Sequence, residues 1–182
     1  ISDGQVRNWL CVEGAFPFAG VRDSRMVKLK ISFPLPVASN TSEWLKEELT
    51  PQQTFCYLPL RSFGWRLVLH ANFDVTASRN ELHSNSPWNR KIKELLPKML
   101  CLCSRIIKEH LMPTGTSKAF QTLTWLEGNG SSPHRVPYGF FLRFMPLNGE
   151  LGGGGSDFFA GMEKRIWQQL REEKCVLQIV WH

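Results

Sequence analysis

The sequence predicts an α+β domain: a sheet packed with a long helix of about residues 87–112 and further helices toward the carboxyl end. Three observations carry this. Val27, Leu29, Ile31 and Phe33 alternate with polar residues, and Trp65, Leu67, Leu69, Ala71, Phe73 and Val75 repeat the same two-residue period, which is that of a half-buried strand. From Trp88 onward the apolar residues instead recur at spacings of three and four, the period of a helix. Strand and helix segments follow one another without a regular βαβ repeat, which favours layered α+β over a parallel sheet. With 182 residues, 42% hydrophobic and 21% charged, the chain can bury a core and is not of disordered composition. One domain over 1–182 is expected.

Residues 1–25 show no clean period, and 1–26 are read as a remnant of a preceding domain. Met26–Phe33 is the first strand, ended by Pro34 and Pro36. Ser42–Leu49 suits one or two helical turns before Pro51. Phe55–Leu60 is a second strand, stopped by a turn at Arg61–Gly64, and Trp65–Val75 is a third. A turn-like stretch, Thr76–Pro87, leads to a helix start with Ser86 as N-cap and Pro87 at the first helical position.

The helix itself carries Trp88, Ile92, Leu95, Leu96, Met99, Leu102, Cys103, Ile106 and Leu111 on its apolar stripe. Pro97 lies inside it and is expected to kink or divide it near Leu96. Lys118–Leu126 suits a short helix, Gly128–Pro133 a loop, and Pro137–Leu147 a helix entered at its proline. Gly152–Ser156 reads as a flexible linker, natural or engineered, Phe159–Lys174 as a helix and Val176–Trp181 as a closing strand. The absence of an initiating Met, with that glycine run, suggests a piece of something larger.

The net charge of +6 is uneven. Residues 1–60 hold six basic and six acidic groups, 61–110 nine and four, and 111–182 seven and six. The excess in the middle suggests phosphate or an acidic partner, although a solvated helix face accounts for it equally well. Arg61, Arg66, Arg90, Lys91 and Lys93 are the candidates for a basic surface that binds nucleic acid or an acidic protein.

Five cysteines at irregular spacing (Cys11, Cys56, Cys101, Cys103, Cys175) argue against a disulfide framework and for reduced thiols in an intracellular protein. Cys101 and Cys103 diverge by about 200° on a helix, so no metal site is expected there. The longest apolar stretch is about Met99–Cys103, too short to cross a membrane, and no signal peptide is visible. Neither a phosphate-binding glycine motif nor a G-x-S-x-G elbow occurs. His70 lies on the opposite face of its strand from Leu69 and Ala71.

The most distinctive stretch is 55–89. It contains Phe55-Cys56-Tyr57-Leu58-Pro59-Leu60-Arg61-Ser62-Phe63-Gly64 and then Leu69-His70-Ala71-Asn72-Phe73. Next in the chain are Ser78-Arg79-Asn80-Glu81 and Ser86-Pro87-Trp88-Asn89. Further on come Phe144-Met145-Pro146-Leu147-Asn148-Gly149-Glu150 and Phe158-Phe159-Ala160-Gly161-Met162. Together these resemble the region after the ATP-binding lobe in Hsp90-like (GHKL) ATPases of the plant NO VEIN type, with sacsin a more distant relative. The resemblance covers roughly 27–178 and is most specific over 55–89.

It implies a transducer, or middle, domain with a ribosomal-S5-domain-2-like fold: a mixed sheet packed with the long helix. By matched position Arg79 would contact the γ-phosphate of ATP, with Ser78, Asn80 and Glu81 setting its turn; Asn80 stands where the family usually has Glu. The lobe that would bind ATP and Mg²⁺ has no counterpart here, so this chain is expected to bind no cofactor and not to be an enzyme by itself. The partners implied are that N-terminal lobe and a protein client, in nucleus or cytoplasm. The alternative is a non-catalytic module that binds protein or nucleic acid through the basic 61–110 segment.

Overall fold

The computed structural model describes residues 9–18, 25–35, 48–78, 81–111, 139–151 and 158–175. The described residues form five strands: β1 (Trp9–Pro17), β2 (Met26–Pro34), β3 (Gln53–Cys56), β4 (Leu58–Ser62) and β5 (Val68–Ala71). They form one mixed sheet in the order β1-β2-β5-β3-β4, in which only the β3–β5 pairing is parallel. The described helices are α1 (Pro87–Leu111), α2 (Gly139–Leu142, a single turn) and α3 (Met162–Glu172).

One face of the sheet makes the core. Leu10 and Val12 of β1 lie opposite Phe33 and Ile31 of β2, and Leu29 and Ile31 lie opposite Ala71 and Leu69 of β5. All of these are buried. The same face meets α1 through Ile92, Leu96, Met99, Cys103 and Ile107, at the three-and-four spacing of a helix stripe. Contact with β1 is close: a Cβ on Gly14 would come 3.3 Å from the Met99 sulfur.

α3 buries Met162, Ile166 and Leu170 against the other flank of α1. It ends in a Schellman arrangement. Lys174 takes φ 51, the Cys175 amide donates to the Leu170 carbonyl at 2.8 Å, and the Cys175 carbonyl accepts from Ser104 Oγ of α1 at 2.9 Å. Covering α1 from two sides is why Cys101 and Cys103 are both buried although their side chains diverge. It also pushes the Cys101 thiol up to about 12, chiefly by desolvation.

Several expectations change. Residues 9–17, without a clean period in the sequence, form a strand paired with β2 along its whole length. The strand expected over 55–60 is two, because Tyr57 turns the chain at φ 61 and puts Cys56 opposite Leu58. The third strand shrinks to Val68–Ala71, yet Trp65, Leu67 and Phe73 keep the alternating burial.

Helix α1 runs unbroken through Pro97. The proline removes one backbone donor, but Leu95, Leu96, Met99 and Leu100 around it are buried, and that burial outweighs the lost bond. Leu102, placed on the stripe by spacing, is 40% exposed. The helix expected over 137–147 contains α2 and then a turn in which the Phe144 and Met145 amides donate to the Phe141 and Leu142 carbonyls. Expectations for 1–8, 42–47, 118–126, 128–133, 152–156 and 176–181 lie outside the described residues.

Candidate functional site

The turn that carries the Ser78–Glu81 motif is built at the amino end of α1. After β5, Asn72 prolongs the ladder by side-chain bonds: its Oδ1 accepts from the Lys28 amide at 2.9 Å and its Nδ2 donates to the Met26 carbonyl at 3.0 Å. Phe73 is then buried against Phe158 and Phe159. The chain reverses between Val75 and Leu82, which form an antiparallel bridge. Inside the reversal the Thr76 amide donates to the Glu81 carbonyl at 3.0 Å, and the Glu81 amide donates to Thr76 Oγ1 at 3.4 Å. Ser78 Oγ lies 3.2 Å from Thr76 Oγ1.

Two groups fasten this turn. Asn89, fully buried, accepts from the Asp74 amide at 2.8 Å through Oδ1. Its Nδ2 donates to the carbonyls of Asp74 at 2.7 Å and His83 at 2.9 Å. One amide thus holds both legs of the reversal on the helix. Ser86 is the N-cap expected from the sequence: its Oγ accepts from the Asn89 amide at 3.3 Å and donates to the Asp74 carboxylate. The Trp88 indole N–H donates to the Asn72 carbonyl.

From the sheet side, Arg61 of β4 donates from Nη2 to Glu81 Oε2 at 3.3 Å, and its Nε lies 3.2 Å from Oε1 as an ion-pair contact. The guanidinium carbon also sits 4.3 Å from the centre of the Phe63 ring. Arg79 and Asn80 lie outside the described residues. The turn is therefore defined by its two ends, Ser78 and Glu81, and by the clamp beneath it.

The cations grouped by sequence as one basic surface are dispersed. Arg61 is paired with Glu81. Arg66 pairs with Glu150, whose other oxygen accepts from the Leu147 amide at 2.7 Å. Lys91 faces Glu94 at 3.5 Å. Lys93 donates to the Phe158 carbonyl and lies 5.2 Å from the Phe158 ring centre, and burial lowers its pKa. Arg90 is exposed near the start of α1.

The downstream motifs form a second joint. Gly64 adopts φ 91, and a Cβ there would fall 2.1 Å from the Glu150 carbonyl oxygen. The buried Glu163 accepts from the Leu151 amide at 3.1 Å, and Phe159 stacks edge-on against Phe63 at 5.2 Å and Trp65 at 5.4 Å. Sequence reasoning missed Arg61 as the anchor of the turn, and Asn72, Asp74 and Asn89 as its clamp. The available signal was the presence of short amides next to buried aromatics, where only a hydrogen-bonding role keeps a polar side chain.

The class that these observations define is an α+β domain with a mixed five-stranded sheet and a polar-clamped turn at the head of its long helix. Its sequence is similar to that of Protein NO VEIN of Arabidopsis thaliana, with 23% identity over 170 residues. That match covers 93% of this chain and 5% of the relative, so the chain spans about one-twentieth of that protein's length. The similarity supports a NO VEIN-like relationship. No protein-family model and no solved structure matches the chain. Among the described residues no helix is long and apolar enough to cross a membrane.

Proposed function

We propose that this chain is the transducer part of a GHKL, Hsp90-like ATPase, with an S5-domain-2-like fold, which couples the nucleotide state of an N-terminal lobe to downstream parts of the protein. Arg79, on the Ser78–Glu81 turn, would meet the γ-phosphate of ATP held with Mg²⁺ by that lobe. A guanidinium there offsets charge that builds on the phosphate and registers whether the phosphate is present.

The observation that carries this reading is the clamp. A loop that must place one side chain on a partner's ligand gains from a fixed base, because disorder in the base is paid on every encounter. Here both legs are tied by Asn89, the tip-side carboxylate by Arg61, and the whole unit sits on the positive end of a 25-residue helix. Resemblance to the NO VEIN type adds the matched position of Arg79.

The test is ATP turnover by a longer chain carrying about 200 further N-terminal residues, a single-domain length. The longer chain should hydrolyse ATP, the 182-residue chain should not, and Arg79→Ala should lower kcat about a hundredfold or more. Equal turnover with and without Arg79 would end the role given to that residue.

A further inference from the structure

The face of the sheet turned away from α1 carries a row of side chains that crosses all five strands. Glu13 of β1 lies opposite Lys30 of β2, Lys30 opposite His70 of β5, His70 opposite Phe55 of β3, and Phe55 opposite Pro59 of β4. At the β1, β2 and β5 end of this row lies a cleft of about 460 Å³, whose lining includes Glu13, Lys28, Lys30, Tyr57, His70 and Asn72.

Tyr57 stands out in it. Its φ of 61 is left-handed, a conformation that costs a side chain about 1–2 kcal/mol and that natural turns usually give to Gly or Asn. Burial does not compensate, because Tyr57 is 75% exposed and its neighbour Leu58 is 57% exposed. The conformation is nonetheless held: the Tyr57 amide donates to His70 Nε2 at 3.4 Å, and the two rings stand edge to face with centres 5.8 Å apart. An aromatic ring is thus fixed in the open at the edge of the cleft. Strain of this kind, kept without a packing return, points to use at a surface.

The charges beside it are chiefly positive. Lys30 pairs with Glu13 at 2.6 Å, whereas Lys28 has no carboxylate partner among the described residues. Burial, and then the charge of Lys30, lower the pKa of His70, so at neutral pH this ring is uncharged.

We propose that this face binds single-stranded nucleic acid, with Tyr57 and Phe55 offering rings to bases and Lys28 and Lys30 meeting phosphates. Cations on β2 beside rings on the β3 side of the same sheet suit an unpaired strand, which can splay its bases onto rings while its backbone tracks the charges. A duplex keeps its bases stacked on each other and has no use for Tyr57. An acidic peptide would use the lysines but leave the strained ring unexplained. The cations involved come from β2, not from the 61–110 segment, and no residue is shared with the turn proposed to meet ATP.

The experiment is fluorescence anisotropy of the 182-residue chain with labelled oligothymidylate and oligouridylate, beside a duplex and polyglutamate, at low and moderate salt. Single strands should bind best, with affinity falling as salt rises. Tyr57→Gly accepts the left-handed backbone, so the fold should melt no lower than before while the affinity falls about tenfold. Lys28→Ala should reduce the salt slope by about one, and Glu13→Gln, which releases Lys30, should tighten binding. Failure of single strands to bind at low salt would overturn the proposal. So would equal binding of the duplex or of polyglutamate, or a Tyr57→Gly chain that binds as tightly as the parent.

Discussion

At the head of α1 the chain is held by hydrogen bonds, whereas at the meeting of Gly64 with the 147–151 loop it is held by lack of space. In the first joint Asn89 reaches three backbone groups with one side chain, and each leg of the Val75–Leu82 reversal depends on it. In the second, the Gly64 Cα lies so near the Glu150 carbonyl that no larger residue fits, and Arg66 adds an ion pair to a contact already closed. A hydrogen-bonded joint can be loosened by degrees, since each bond contributes separately. A steric joint has no intermediate setting.

The largest expected effect comes from that second joint. Gly64→Ala adds a methyl at 2.1 Å from a backbone oxygen at a positive φ, and both penalties fall on groups that cannot step aside. A loss of about 4 kcal/mol or more is expected, much of the stability of a domain, and chemical denaturation should show it. A chain with Gly64→Ala that unfolds within about 1 kcal/mol of the parent would show the joint to be pliable.

Next comes Asn89→Ala. It strands the Asp74 amide, while the Asp74 and His83 carbonyls keep the amides of His83 and Ser86 as donors. A loss of about 1–3 kcal/mol is expected, with hydrogen exchange rising first over 74–83. Uniform loss of protection across the whole sheet would contradict the local role given to this amide.

The smallest effect separates both joints from the outer face of the sheet. His70 has its pKa lowered by burial and by Lys30, while Glu13, also facing it, acts weakly in the opposite sense. Its folded pKa lies below the unfolded value of about 6.5, so the unfolded chain takes up the proton first. The contribution is present above that value and is lost as pH falls below it toward the folded pKa. Protonation also removes the acceptor for the Tyr57 amide. Melting temperature should therefore fall modestly between about pH 7 and 5.5, and His70→Gln should flatten that part of the profile. An unchanged slope in the variant would assign the acid sensitivity elsewhere.

The parts of this fold that could be read directly were those where one period dominates. β2 and the Trp65–Phe73 stretch alternate cleanly, and the Ile92–Leu96–Met99–Cys103 stripe announces α1. β1 has the same alternation at Leu10 and Val12, but Gly14, Pro17 and Phe18 blur it. The break at Tyr57 carried no signal, since tyrosine is not a turn residue. Pro97 gave a local signal that packing overrides.

At the candidate site the motifs were visible but their work was not. The arginine of the Phe55–Gly64 motif looked like surface charge, and only the fold shows it gripping Glu81. Likewise the last residue of Ser86–Asn89 looked like helix sequence and is the clamp. Motif residues here mark where segments join. The residue proposed to do chemistry, Arg79, lies outside the described residues, between Ser78 and Glu81 in the sequence.

The strand order has a consequence for how the sheet comes together. β1 with β2, and β3 with β4, are hairpins of near neighbours in sequence, able to zip up separately and fast. β5 comes last of the five described strands yet lies between the hairpins, bonded antiparallel to β2 and parallel to β3. Each hairpin therefore keeps one raw edge until Val68–Ala71 slides in, and until then nothing joins the two halves of the sheet. β5 is the keystone of the sheet: four residues, the last of these five strands to be made, on which the joining of the two hairpins waits.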